Sequence, residues 1–243
     1  MEANREGLEG RLSRAEVLDR LSEGRDLANT NLSGLALQGI DLSAVQLRGA
    51  NLSDADLSGA NLGRAVMPGV NLTRACLNEC NLAGADLRQA RLERAVLREA
   101  DLRRAMLLWV DLRSADLRLA NLTEADLRGA RLSDADFRRA ILSSANLSEA
   151  LLWGTNMEKA ILQEANLVGA DMSRARCAGA ILWEADLTGA NIHYTDFSDV
   201  DLRQTRITAE QLAHAGSLAG AQLPADQSLR TRLSRGLLSR NKH

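Results

Sequence analysis

The sequence predicts an all-β solenoid with square coils, and three observations predict it. From Leu27 to Ile207 every fifth residue is apolar, an unbroken column of thirty-seven positions of which twenty-nine are Leu. Two residues before that centre stands a small side chain, Ala at twenty-five positions. One residue before it, Asp or Asn occurs twenty-three times. A period of five is neither the 3.6 of a helix nor the 2 of a strand, so it belongs to a repeating architecture.

The consensus is Ala-(Asp/Asn)-Leu-x-x, as in "ANLSDADLSGANL" over 50–62. One large and one small inward residue per five suit a narrow tube, with Leu on the axis and Ala where walls approach. Eleven of the eighteen glycines lie two residues after the centre, where a type II turn requires φ > 0. Met67-Pro68-Gly69-Val70 carries the Pro-Gly pair such a turn favours. A chain that turns every five residues closes a square coil with four units, and residues twenty apart stack. Thirty-seven units make about nine coils, a rod ~44 Å long at ~4.8 Å between coils.

These residues resemble the pentapeptide-repeat family over about 26–207. The resemblance implies a right-handed quadrilateral β-helix. Its best-understood members, of the quinolone-resistance type, resemble duplex DNA in width and charge and bind DNA gyrase in its DNA-binding saddle. The resemblance thus implies a DNA-mimicking, topoisomerase-binding protein that protects its target from inhibitors. Other members act as regulatory adaptors, and a scaffold that binds its partner through an exposed apolar face is the competing expectation. Here only Phe137 and Phe197 place Phe at the centre, and no insertion interrupts the register.

Four segments follow: a capping helix within 1–25, the β-helix at 26–207, a C-terminal cap at 208–223 and a basic tail at 224–243. Ser13-Arg14-Ala15-Glu16 reads as a capping box ahead of Val17, Leu18 and Leu21, with Gly24 as the stop, so a helix is expected over about 14–23. Thr208-Ala209-Glu210-Gln211 repeats the signature and predicts a short helix through about His214. The "GSLAGAQLP" stretch (216–224) reads as degenerate units. The tail spaces Leu229, Leu233 and Leu237 by four, interrupted by Gly236; it is expected to be an unstructured basic tail or, alternatively, a helix that pairs two rods at their C-terminal ends.

Composition excludes several classes. Residues 1–223 carry 25 basic and 31 acidic side chains, so direct nucleic-acid binding is not expected of this mildly acidic rod. No signal peptide or apolar run of membrane-spanning length is present, which predicts a cytoplasmic protein without membrane contact. Cys76 is expected to point outward, with Cys80 and Cys177 in the core, giving no disulfide or metal pair. The three His stand beside no Ser or Cys nucleophile, and no phosphate loop or dinucleotide fingerprint occurs. The chain reads as non-enzymatic, with no cofactor.

Function then falls to the outer faces, at departures from consensus. Ile141, Ile161 and Ile181 replace Asp/Asn on three successive coils, with Trp183 beside the last: an apolar column of protein-binding character. Leu151 and Trp153 form a smaller patch across the rod, and Met106, Leu108 and Trp109 a third. Arg98, Arg118 and Arg138 also stack, with Arg139 adjacent and Asp116 and Asp136 on the same face. That pattern predicts a solvated salt-bridge ladder, or an anion site. Asp101 belongs to a column of Asp and Asn (41, 61, 81, 101, 121) that is chiefly structural.

Overall fold

The computed structural model describes residues 10–225; the tail expectation lies almost wholly outside them. Four pentapeptides make one twenty-residue coil, and with one exception parallel bridges join each Asp/Asn-position residue to the one twenty later, from Asp26↔Gln46 to Asp186↔Arg206. The coils form a quadrilateral rod with four sides. Side 1 is named for the column that begins at Leu27, side 2 for that at Leu32, side 3 for that at Leu37 and side 4 for that at Leu42.

In a consensus unit every backbone N–H has a defined partner. In the unit Asn51–Ala55, the Leu52 amide donates to the Asn71 carbonyl one coil on, and the Asp54 amide to that of Thr73. Asn51 donates back to Thr30, and Ala55 closes the turn onto Leu52. That leaves the Ser53 amide, and the side chain of Asn51 accepts it at 3.1 Å. All twenty-three Asp and Asn of the consensus accept the amide two residues on in this way. The preference for short acceptors therefore follows from backbone satisfaction. Where Val66 supplies no acceptor, the residue two on is Pro68, which has no N–H to satisfy.

Turn geometry departs from the glycine-based expectation. Thirty-five successive units, from Asn29 to Asp199, place the last turn residue at positive φ, yet only eleven are Gly. The others lie between +52° at Trp109 and +62° at Leu119. None of these twenty-four is Val, Ile or Thr, the side chains that fit this backbone worst.

The centres and the Ala positions form one continuous core, buried from Leu27 to Leu202 except at the half-buried Thr30. Thr155, Thr195 and Thr205 replace Ala there, and each hydroxyl donates to a carbonyl. Cys80 and Cys177 are buried as expected, while Cys76 faces outward and is half-buried. Burial pushes the Cys80 thiol up to about 12 and that of Cys177 further, so both stay protonated in the core.

Helix α1 (Arg14–Glu23) forms where the capping box predicts, with both of its reciprocal bonds present. It lays Val17 on the open first coil, flanked by Leu12 and Leu21. Three guanidiniums cover carbonyls that have no preceding coil: Arg11 donates to Ser33, Arg14 to Ala36 and Arg25 to Ser43. At the other end α2 (Ala209–Leu212) is shorter than the stretch to His214 predicted from sequence. Its Gln211 amide donates to the Leu187 and Ala190 carbonyls, which holds the helix on the last coil. Ser217 and Gln222 extend the bridges of sides 3 and 4, so the degenerate stretch does continue the coil.

Between Asp26 and Arg206 the bridge register breaks once among the described residues, at Ile181 and Asp201 on side 4. Leu162 and Glu164 still donate to the Ile181 and Trp183 carbonyls, and Leu202 to that of Gln222. The walls on either side are thus intact, and only the seam between them is open.

Candidate protein-binding surface

On side 4 the three isoleucines stack through the bridges Ile141↔Ile161 and Ile161↔Ile181. Mutual stacking leaves Ile141 and Ile161 half-buried, less exposed than a reading of the column alone suggests. Ile181 ends the stack beside the open seam and is 49% exposed, with Trp183 next to it at 44%. Exposed aromatic and β-branched carbon beside each other is the composition of a docking surface rather than of a solvated wall.

The corners that border this stretch carry opposite charge. Before the Ile column stand Arg139 and Lys159; after it stand Glu164 and Glu184. All four are exposed, and among the described residues none makes an ion pair. The apolar strip therefore lies between a free basic edge and a free acidic edge. Of these four only Arg139 stands out in the sequence, beside the arginine column, and counting by twenty along the corner positions finds the other three.

The other two patches are smaller. Leu151 and Trp153 are exposed on side 2, and the Arg174 guanidinium lies 5.9 Å from the Trp153 ring centre. Met106 is exposed on side 1, Leu108 beside it only half-buried, and Trp109 at the next corner is 63% exposed. Leu119, Val168 and Tyr194 are also exposed and escaped the sequence reading, since each occupies a position the repeat leaves open to any residue. Near α2, the His193 and His214 rings stack with centres 4.4 Å apart.

The arginine column on side 3 forms the predicted ladder. Arg98 and Arg118 both bind Asp116, at 2.7 and 2.8 Å, and Arg138 binds Asp136 at 2.6 Å. Burial opposes the charged form of Asp116, but the Arg118 and Arg98 hydrogen bonds outweigh it and hold the carboxyl at about 2. A groove of about 500 Å³ runs along this corner past Leu119, Arg139 and Lys159.

Ion pairs form both between coils and within one pentapeptide. In seven units, including Asp101–Arg103, Asp116–Arg118 and Asp136–Arg138, an Arg two residues after an Asp folds back onto its carboxylate. Asp101 consequently sits in a neutral pair, its carboxyl held low chiefly by the Arg103 guanidinium. Among the described residues no cluster of His, Cys, Asp and Glu is arranged to hold a metal ion, and no helix is long and apolar enough to cross a membrane.

This repeat matches the family of pentapeptide repeats in eight copies, over residues 26–64, 46–83, 80–118, 120–152, 140–176 and 170–208. Curated proteins yield no match. Among solved structures the chain is similar to QnrB1, a plasmid-mediated fluoroquinolone resistance protein, at 18% identity and TM-score 0.53 over 85% of this chain and 99% of that one. It is also similar to HetL, involved in heterocyst differentiation regulation in the cyanobacterium Nostoc, at 29% identity and TM-score 0.38 over 88% and 98%. A third is Rfr23 from the cyanobacterium Cyanothece, at 20% identity and TM-score 0.21 over 86% and 98%. The repeat match covers most of the chain: this protein belongs to the pentapeptide-repeat family, whose members fold as right-handed quadrilateral β-helices.

Proposed function

We propose that this protein is a non-enzymatic, cytoplasmic protein-binding rod whose docking surface is the C-terminal half of side 4. The observation that carries the reading is the apolar strip of Ile141, Ile161, Ile181 and Trp183 between unpaired basic and acidic corners. A rigid solenoid presents such a strip without rearrangement, so little conformational entropy opposes binding. A photo-crosslinking residue at position 161 tests the reading, with position 83 on the same side as control. Partner adducts should form at 161 and not at 83, and Trp183→Ala should reduce them; equal labelling at both sites would discard side 4.

Gyrase binding by DNA mimicry is the second reading, and the fold shared with QnrB1 supports it. The charge pattern supports it less, because the Asp-x-Arg pairs neutralise carboxylates that would have to imitate phosphates. A gyrase supercoiling assay with and without a fluoroquinolone separates the two. Inhibition or drug rescue at about micromolar protein or below would favour mimicry, whereas no effect at tens of micromolar would remove it for that enzyme.

A further inference from the structure

The corner between sides 3 and 4 holds positive charge that the chain does not neutralise. Arg139 and Lys159 are neighbours there on successive coils, ~4.8 Å apart along the axis. Neither makes an ion pair among the described residues. At no other corner of the described rod do two basic residues neighbour each other with both unpaired. Arg94 follows Arg74, but Arg74 is held by Asp54 at 2.6 Å. The carboxylates nearby are committed elsewhere: Glu158 to Arg176, Asp136 to Arg138, and Asp116 to Arg98 and Arg118. Glu99 is unpaired but stands two coils from Arg139, roughly 10 Å and about one Debye length away. Two like charges are left side by side, an arrangement that a bound anion relieves.

The groove of about 500 Å³ opens onto these two side chains, with Arg98, Arg118 and Arg138 along its other wall. Arg118 and Arg138 hold their carboxylates through Nε and Nη2, and neither Nη1 has a hydrogen-bond partner among the described residues. The carboxylates thus fix these guanidiniums while leaving donors for a further acceptor. Leu119, 48% exposed, adds apolar contact in the same groove.

We propose that this groove binds a phosphate-bearing small molecule, its phosphate held between Arg139 and Lys159 and its organic part against Leu119. A phosphomonoester carries about −1.5 to −2 charge at pH 7 and three acceptor oxygens, which matches an excess of two positive charges. A carboxylate, with one negative charge, matches half of it. The volume is that of a small-molecule site. The site does not rest on the docking reading, because the apolar strip of side 4 contributes nothing to it.

Amide chemical shifts of the full chain at low salt test it, with inorganic phosphate and phenyl phosphate as the two probes. Both should shift the Leu119, Arg139 and Lys159 amides and saturate. Phosphate is expected near a Kd of about 1 mM, and phenyl phosphate about three- to tenfold tighter. Ser114 and Ser144 already stand at corners of this rod, so serine is a substitution the turn accepts. Arg139→Ser and Lys159→Ser should each weaken both probes about tenfold. Leu119→Ser should remove the advantage of phenyl phosphate and leave inorganic phosphate within about twofold. Arg64→Ser, at another corner where a single Arg makes no ion pair, and the docking variant Trp183→Ala should leave both probes unchanged. Shifts spread evenly along the rod, no saturation by about 20 mM, or an Arg64→Ser loss as large as that of Arg139→Ser would each overturn the site. Equal affinity for the two probes in the unchanged chain would overturn the assignment to an organic phosphate.

Discussion

Asp116 accepts the backbone amide of Arg118 through the same carboxylate that binds the Arg118 guanidinium, closing a ring within one pentapeptide. One side chain thus satisfies the backbone donor that the coil-to-coil ladder leaves over and neutralises the next outward residue. The same carboxylate reaches Arg98 of the preceding coil, so it also ties two coils together.

Replacing Asp116 should separate these roles. Asp116→Ala removes the acceptor and both ion pairs, and is expected to cost about 1–3 kcal/mol. Asp116→Asn keeps an oxygen for the Arg118 amide and should cost less than half as much. Urea unfolding measures both; equal losses would mean that the charge, not the amide acceptor, carries the stabilisation.

Acid should act through the same carboxylates. The Asp116 carboxyl is held at about 2, below its ordinary 3.8. A depressed folded-state value means the stabilisation is complete above the unfolded-state value and disappears as protons are taken up below it. Asp41, Asp56, Asp86, Asp101, Asp126, Asp186 and Asp201 are shifted in the same direction. Thermal stability should therefore be flat from about pH 7 to about pH 5 and fall between about pH 4 and pH 2. In Asp116→Asn the fall should be shallower.

Much of this was legible from the five-residue register. Knowing that Leu27 and Leu47 point inward on one side fixes the side of every other residue, so the Ile column and the arginine column were found by counting. The partner of Arg118 was not fixed by counting, because Asp116 and Asp136 are both in range and only rotamer geometry chooses. The seam at Ile181 and Asp201 had no signature at all, since both units keep an inward Leu and a strand-forming or Asx residue before it. Glycine misled in the other direction: its enrichment at the corner located the turn but hid the fact that most corners are built from other residues.

Those corners make a substitution test. Ser114 holds φ +56° with no glycine present. Ser114→Val forces a β-branched side chain into left-handed backbone and should cost about 1–2 kcal/mol or more. Ser114→Gly relieves backbone strain while adding unfolded-state entropy, and should change stability by less than about 0.5 kcal/mol. Chemical denaturation of the pair decides it; a tolerated Val would show that the absence of β-branched residues from twenty-four such corners has another cause.

The seam on side 4 predicts where the rod opens first. Leu162 and Glu164 donate to the next coil at 2.8 Å each, and their amides should exchange with solvent only on large-scale unfolding. Leu182 and Glu184, the equivalent residues one coil on, find no carbonyl across the Ile181–Asp201 gap. Their exchange should be faster by orders of magnitude, although Leu182 itself is as buried as Leu162. Because the Thr205 hydroxyl bonds the Leu182 carbonyl across the gap, Thr205→Ala should widen the region of fast exchange toward Leu202. Hydrogen exchange resolved by residue would read this directly, and equal protection at Leu162 and Leu182 would mean the ladder is closed in solution.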